Sequence, residues 1–166
     1  MTMPHLSRTD FVLQTSKAHF EALPATDPNK ALVGVFLTFL VCISFYSEME
    51  LKVLAMVRAR MAVAGDPKLS NLIEASKRGI LSRIKKVDLA ECAGLFGSDV
   101  RAAFNASVTP QDATLYGNLI TQRHAVAHSE DGQLVDWTVA TLSLVDVENG
   151  LGAAERLIEA FEAAIQ

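Results

Sequence analysis

The chain has 166 residues, of which 50% are hydrophobic and 20% are charged, which is typical of a single globular domain covering residues 1–166. Its formal net charge of −4 argues against a basic nucleic-acid-binding surface over the whole molecule. The opening residues MTMPHLSRTDF lack the apolar core of a secretory signal. Cys42 and Cys92 show no disulfide or metal spacing. These features predict a cytoplasmic protein with buried free thiols.

Charge is unevenly distributed along the chain. Residues 1–57 carry 4 basic and 5 acidic residues, residues 58–86 carry 8 and 2, and residues 87–166 carry 3 and 12. The central block can therefore face phosphate groups while the remainder is acidic. A solvated helix face is the alternative interpretation of this block, whose cations include Arg58, Arg60, Lys77, Arg78, Arg83, Lys85 and Lys86.

Two helix start signals open the chain. The run from Ser7 to Asp10 resembles a capping box and predicts a first helix to about Leu23. Asp27-Pro28 places a capping residue before a proline, and this pair predicts a long second helix to about Ala64.

The second helix contains an uncharged stretch between Lys30 and Glu48 that is almost wholly apolar from Ala31 to Tyr46. Its length is at the short edge of a membrane span, which needs roughly 17–25 residues. The helical pattern continues into charged residues without a break. We therefore interpret it as a core or dimer-interface helix, and we expect no membrane association.

Further start and stop signals predict helices over most of the remaining chain. The last helix is weakened locally by Gly150 and Gly152. No strand run or repeat appears, so the expected fold class is all-α, an antiparallel helical bundle with a long second helix and extra short helices. The predicted elements are Asp66-Pro67 to the Arg78-Gly79 region, Asp88 to Phe96, a Gly97-Ser98-Asp99 cap with a helix to about Ala106, Thr109-Pro110 to Ser129–Gly132, a connector from Gln133 to Leu142, and Ser143 to Ala164.

The run Arg123-His124-Ala125-Val126-Ala127-His128 lies near the end of the helix that Thr109 opens. Arginine holds phosphate through a rigid fork of donors, and histidine carries protons near neutral pH. At about 100° per residue, Leu115 and Val126 fall within about 40° of Leu119 and predict a core-facing stripe. Arg123 is about 100° from His124, whereas His124 shares the opposite face with Gly117, Thr121 and His128.

This geometry predicts either that Arg123 reaches round the helix or that its partner histidine comes from another subunit. A twofold axis near this helix would bring Arg123 and His128 of two chains into one cleft. Four interpretations of the motif remain open from the residues alone. They are an RNA-cleaving site, a metal site on His124 and His128, a phosphate or nucleotide pocket without chemistry, and a polar helix end.

The motif and its surroundings resemble the HEPN superfamily (higher eukaryote and prokaryote nucleotide-binding domains), whose ribonucleases carry Arg-x4-6-His late in a helix. The residues that carry the likeness to the RiboL-PSP-HEPN-type branch are Tyr116-Gly117-Asn118-Leu119-Ile120-Thr121-Gln122-Arg123-His124 with Ala127-His128, Phe45-Tyr46-x-Glu48-x-Glu50-Leu51-Lys52, and Leu95-Phe96-Gly97-x-Asp99-x-Arg101-x-x-Phe104. The likeness covers roughly residues 31–165.

This resemblance implies a metal-independent endoribonuclease of a defence or toxin type, without a cofactor. It implies a homodimer with the site at its twofold interface, an RNA substrate, and an antitoxin or regulatory protein partner. The implied catalytic residues are Arg123 and His128, and His124 would orient groups or contact phosphate. The implied supporting residues are Thr121, Asn118, Gln122 and Glu50. Either Glu50 or Glu48 would orient Arg123, with a solvent-exposed or capping role as the alternative. Asn118 and Gln122 would contact RNA, with a plain position on the helix surface as the alternative. The alternative is a non-catalytic HEPN module that binds nucleotide, RNA or a protein partner.

Overall fold

In a computed structural model of the chain, residues 3–64, 84–127 and 142–166 are described, except for the side chains of residues 64 and 123–127. These ranges contain helices and no strand, so the predicted all-α class is confirmed for them. We number the helices α1 (Ser7–Ala22), α2 (Lys30–Ala64), α3 (Lys86–Gly94), α4 (Ser98–Ser107), α5 (Pro110–Ala127) and α6 (Leu144–Ile165). The helix predicted from Asp66 and the connector over residues 133–141 lie outside the described residues.

The predicted start of α1 is confirmed to within one residue, but its predicted capping box does not form. The residue before the helix is Leu6, which offers no side-chain cap. Instead, Glu48 of α2 accepts hydrogen bonds from the amides of Arg8 (3.1 Å) and Thr9 (2.7 Å) and from the Thr9 hydroxyl (2.7 Å). A buried carboxylate from another helix therefore satisfies the amides that a local cap would have bound.

Two other predicted starts are displaced by two residues. The second helix begins at Lys30 rather than Pro28, because Asp27 forms a turn in which its side chain binds the Asn29 amide at 2.8 Å. The third begins at Lys86 rather than Asp88, since the Asp88 carboxylate reaches back to the Lys85 amide at 3.1 Å. In both places an aspartate near the predicted start binds a backbone amide of the same turn.

The directions of the helices follow from contacts at their ends. Helix α1 runs antiparallel to α2, because Thr9 contacts Glu48 while Phe20 lies against Gly34. Helix α5 runs antiparallel to α6, since Asp112 binds Arg156 and Leu119 packs on Gly150. Helices α2 and α6 are parallel. Residues from the starts of both helices line one cavity, and residues from the ends of both helices line a groove.

The core is built where these helices meet. Phe45 of α2 meets Tyr116 of α5 edge to face, with ring centroids 6.0 Å apart, and Phe104 of α4 meets Phe161 of α6 in the same way at 5.9 Å. Fully buried aromatic rings contribute large apolar areas, and edge-to-face pairs add about 0.5–1.5 kcal/mol each. Leu6, ahead of α1, is also fully buried, so the N-terminal segment belongs to the core.

Candidate RNA site at the end of the fifth helix

Helix α5 carries the Arg/His motif, and its first turn is held firmly. The Thr109 hydroxyl accepts the Asp112 amide at 3.1 Å and donates to the Asp112 carboxylate at 2.8 Å. Asp112 also accepts Arg156 Nε at 3.1 Å and a second guanidinium nitrogen at 2.6 Å. The hydrogen bonds from Arg156, the largest cause, hold the pKa of Asp112 below its usual value. The start predicted at Thr109-Pro110 is therefore confirmed.

The middle of α5 is fixed by Tyr116 and Leu119, both fully buried. The Tyr116 hydroxyl donates to the carbonyl of Ile84, and burial raises the pKa of this phenol well above its ordinary value. Leu119 occupies space on α6 that only a glycine leaves open, since a Cβ at Gly150 would lie 2.7 Å from Leu119 Cγ. The helix that carries the motif is thus positioned by a hydrogen bond and by close packing.

The predicted supporting residues on α5 divide between two sectors of the helix. Asn118 and Thr121 are exposed, and a Cβ added at Gly117 would meet nothing within 4 Å, so this face is open in the single chain. Gln122 is only 8% exposed, although we expected it on the helix surface. Its position three residues after Leu119 turns it toward the core side, which makes it a poor candidate for contact with RNA.

Arg123 and His124 lie in the last turn of α5, where the backbone is described but the side chains are not, and His128 lies outside the described residues. The helix register alone places Arg123 about 40° from Leu119, in the sector that the buried Asp112 and Tyr116 also occupy. His124 falls about 60° from the exposed Thr121. The register therefore assigns the arginine and its neighbouring histidine to different sectors.

The remaining predicted supporting residue, Glu50, belongs to α2 and is half-buried. Because α2 and α5 run in opposite directions, Glu50 and Arg123 lie on opposite sides of the contact between Phe45 and Tyr116. Glu50 lies five residues beyond Phe45 on α2, and Arg123 lies seven residues beyond Tyr116 on α5. At a rise of about 1.5 Å per residue, the two positions are separated along the helix axes by about 18 Å. Within one chain, the structure therefore does not bring Glu50 to the level of Arg123.

Glu48 was the other acid considered for orienting Arg123, with a capping role as the alternative. The structure supports the alternative, because both carboxylate oxygens of Glu48 bind the start of α1. This contact spans 39 positions of sequence between Thr9 and Glu48. No local pattern reveals such a partner, although an acid within an apolar helix was a signal that it would need one.

The basic block is only partly described, since Lys77, Arg78 and Arg83 lie outside the described residues. Arg58 and Arg60 are exposed on α2, beyond Phe45 in the direction that leads away from the level of Arg123. Lys85 is exposed beside Ile84, whose carbonyl is tied to Tyr116 two helical turns before Arg123. These three cations of the basic block thus lie toward the middle and the start of α5, rather than at its last turn.

A cavity of about 410 Å³ lies at the end of the molecule where α5 finishes, between the end of α1 and the starts of α2 and α6. Its lining is mainly apolar and includes Phe20, Val35 and Leu144, with Lys17 and Glu21 as its charged residues. Lys17 binds Glu148 at 2.9 Å. This cavity is suited to an apolar group rather than to a phosphate.

Both cysteines are buried and free, as predicted. Burial raises the pKa of Cys42 to about 12 and that of Cys92 to about 11. A thiol that stays protonated at neutral pH is a poor nucleophile. Neither cysteine therefore belongs to a candidate catalytic site.

One helix within the described ranges is long and apolar enough to cross a membrane, namely Lys30–Val63, with a mean hydropathy of 1.9. In its most apolar window, 39% is buried within the molecule. A core helix of a water-soluble protein meets the same criteria of length and composition.

Comparison with protein-family models, curated proteins and solved structures finds no match to this chain.

Proposed function

We propose that this chain is a metal-independent endoribonuclease of the HEPN type, folded as a helical bundle and acting as a cytoplasmic homodimer. The observation that carries the proposal is the sequence motif in which four residues separate Arg123, in the last turn of α5, from His128. Its support is the resemblance of that motif and its surroundings, together with the all-helical character of the described residues. A defence or toxin-type role, with an antitoxin or regulatory partner, belongs to the same proposal.

The proposed reaction uses only protein side chains and the RNA. The 2′-hydroxyl attacks the adjacent phosphorus, the bond from phosphorus to the 5′-oxygen breaks, and the products carry a 2′,3′-cyclic phosphate and a 5′-hydroxyl. His128 transfers the proton, and Arg123 stabilises the charge on the phosphoryl oxygens. His124 orients groups or contacts phosphate, and Asn118 and Thr121 supply exposed polar contacts beside it. DNA lacks the attacking hydroxyl and is inert.

The composite dimer site is supported by two features of the described chain. First, the register of α5 assigns Arg123 and His124 to different sectors, so a histidine from a second chain is the simpler partner for Arg123. Second, α2 exposes an apolar stripe whose members are between 43% and 58% exposed: Leu32, Phe36, Leu40, Ile43 and Leu51. Their spacing of three, four and eight residues places them along one side of a helix, which suits a helix-to-helix interface.

The alternative is a HEPN module that binds nucleotide, RNA or a protein without cutting. The acidic balance of residues 87–166 favours a protein partner within this alternative, because 12 acidic residues against 3 basic ones weaken the attraction of RNA near the motif. The two functions predict different behaviour with RNA alone, so a cleavage assay separates them.

The test is incubation of the purified full chain with single-stranded and hairpin RNA in excess EDTA. We expect cleavage that persists in EDTA, yields 2′,3′-cyclic phosphate ends, and stops when the scissile nucleotide is 2′-deoxy. Arg123→Ala and His128→Ala should each lower the rate by at least about 100-fold. The matched controls Arg101→Ala and His19→Ala remove exposed side chains on α4 and α1 and should cut at the wild-type rate.

Two results would contradict the enzyme. Cleavage that EDTA abolishes would replace the metal-free mechanism with a metal-dependent one. RNA bound by the wild type without cleavage, with weaker binding in Arg123→Ala, would establish the binding module instead.

A further inference from the structure

A second cluster of chemically active side chains lies near the C-terminal end of α6, away from the motif. His5, Glu155 and Glu159 each offer a ligand atom, and these atoms all lie within 4.8 Å of one another. Glu162 adds a further carboxylate, 3.7 Å from His5 Nε2. The three glutamates are four and three residues apart, so they share one face of the helix, and His5 covers that face from the N-terminal segment.

The arrangement of Glu155 distinguishes this cluster from an ordinary acidic surface. Its side chain is only 2% exposed. One oxygen, Oε1, accepts the backbone amide of His5 at 2.7 Å, whereas the other, Oε2, is buried and has no hydrogen-bond partner. A buried carboxyl oxygen without a donor is unfavourable unless a proton or a cation satisfies it. The structure thus contains an unsatisfied carboxyl oxygen beside an imidazole.

The neighbouring cation does not fill this need. Arg156 follows Glu155 in the sequence, but its guanidinium binds Asp112 on α5 through two nitrogens. Burial is the largest effect on Glu155 and raises the pKa of its carboxyl, ahead of the hydrogen bond from the His5 amide and the charge of the His5 imidazole, which lower it. The nearby charge of Glu159 raises this pKa further. Two acids and an imidazole therefore share a site where added positive charge is favourable.

We propose that His5, Glu155 and Glu159, with Glu162 at the edge, form a binding site for a divalent transition-metal ion of the Zn²⁺ class. Mixed imidazole and carboxylate ligands suit Zn²⁺, whereas Mg²⁺ prefers oxygen ligands and retains its waters. Ligand atoms at about 2.1 Å from a tetrahedral ion lie roughly 3.4 Å apart, so the side chains must close inward by about 1 Å. The exposed Glu159 has room to rotate.

The metal would fasten the N-terminal segment to α6. His5 lies between Met3 and Leu6, whose side chains are buried in the core, and its own amide already binds Glu155. A ligand that binds only the folded arrangement stabilises it by mass action. The site is therefore structural, and it is independent of the metal-free chemistry proposed for Arg123 and His128.

The experiment is zinc titration of the full chain, stripped with EDTA and dialysed, followed by calorimetry and thermal unfolding. We expect one Zn²⁺ per chain at this site and a rise in Tm of about 5–10 °C at 100-fold excess over Kd, with no comparable rise in Mg²⁺. His5→Gln and Glu159→Gln should each weaken binding at least about 10-fold. Co²⁺ should give a d–d absorption band that His5→Gln alters.

Matched variants separate this site from the other histidines. His19→Gln removes an exposed imidazole of α1 and should bind Zn²⁺ as the wild type does, and so should the double variant His124→Ala/His128→Ala. Glu159→Gln changes an exposed side chain, so its loss of binding is not a loss of folding. The proposal fails if Zn²⁺ does not bind, if Mg²⁺ raises Tm equally, or if only the His124/His128 variant loses the ion.

Discussion

Three buried carboxylates each join separate segments of this chain. Glu48 caps α1 from α2, Asp112 binds Arg156 between α5 and α6, and Glu155 holds the amide of His5. Buried acids require partners, since an unpaired charge in the interior is costly. At the residue scale, these acids act first as attachment points between helices, and only Glu155 retains an oxygen for another ligand.

Asp112→Asn should destabilise the fold in a pH-dependent way. The hydrogen bonds from Arg156 lower the pKa of Asp112 in the folded state, so the ionised form is favoured by folding. Its contribution is complete above the unfolded pKa of about 3.9 and is lost as pH falls through the lower folded value. We expect the free energy of unfolding to fall by about 1.5–3 kcal/mol at pH 7. Urea unfolding measures this loss, which should become smaller at acid pH.

The control for that experiment is Asp99→Asn, which changes an exposed acid in the first turn of α4. It should cost only a few tenths of a kcal/mol at pH 7, as an exposed charge near a helix start does. An Asp112→Asn penalty that is the same at pH 3 and at pH 7 would show that ionisation of Asp112 does not stabilise the fold.

At the scale of elements, the position of α5 determines what the Arg/His motif can contact. Asp112, Tyr116 and Leu119 fix its start and middle against α6, the segment at Ile84, and α2. Since α5 opposes α2 in direction, the motif lies at the level of the first half of α2, away from Glu50. The last turn of α5 thus lies at the level of the first half of α2, and Glu50, which the resemblance implied as a supporting residue, lies at another level.

Two glycine substitutions test this packing with opposite expected signs. Gly150→Ala places a Cβ 2.7 Å from Leu119 Cγ, which is a branch point within the core. The clash should cost about 1–3 kcal/mol, more than the gain in helix propensity of about 1 kcal/mol. Gly117→Ala meets nothing within 4 Å and should stabilise the monomer by up to about 1 kcal/mol. Urea unfolding measures both, and equal effects would contradict the packing of Leu119.

At the scale of the whole molecule, the exposed apolar stripe on α2 is the surface that indicates contact with another molecule. Five large apolar side chains on one side of a helix leave an apolar surface that another molecule can cover. The proposed homodimer accounts for this surface and supplies a second histidine for Arg123. A core helix of a monomer would instead have buried most of this stripe.

Leu40→Glu should therefore convert the proposed dimer to a monomer. Leu40 is 53% exposed at the centre of the stripe, so a charge there should leave the monomer folded but oppose contact between two apolar stripes. Light scattering after gel filtration measures the molecular mass of the particle in solution. The Leu40→Glu variant should have the mass of a monomer and should cleave RNA more slowly than the wild type. Leu95→Glu, at a side chain 62% exposed after α3, is the control. A monomeric wild type, or one recovered only in detergent, would contradict the dimer.

Much of the secondary structure was predictable because helix ends follow local chemistry. Ser143 caps α6 through the Asp146 amide at 3.1 Å, and Thr109 caps α5 in the same way. The prediction for Ser7 was wrong in mechanism, because the acid that caps α1 is 39 positions away. The expected surface position of Gln122 was wrong for a related reason. Whether a polar side chain near the core-facing side of a helix is buried depends on the helix that packs against it.

Sequence by itself determined the all-α class and most of the helices of the described ranges to within about two residues at their starts, because helix formation depends mainly on neighbours within one or two turns. The tertiary structure decided which residues meet. It separated Glu50 from the level of Arg123 and assigned Glu48 to α1. It also joined His5 to Glu155 across 150 positions. The direction in which helices pack decides such contacts, because side chains distant in sequence meet only where two faces are buried together.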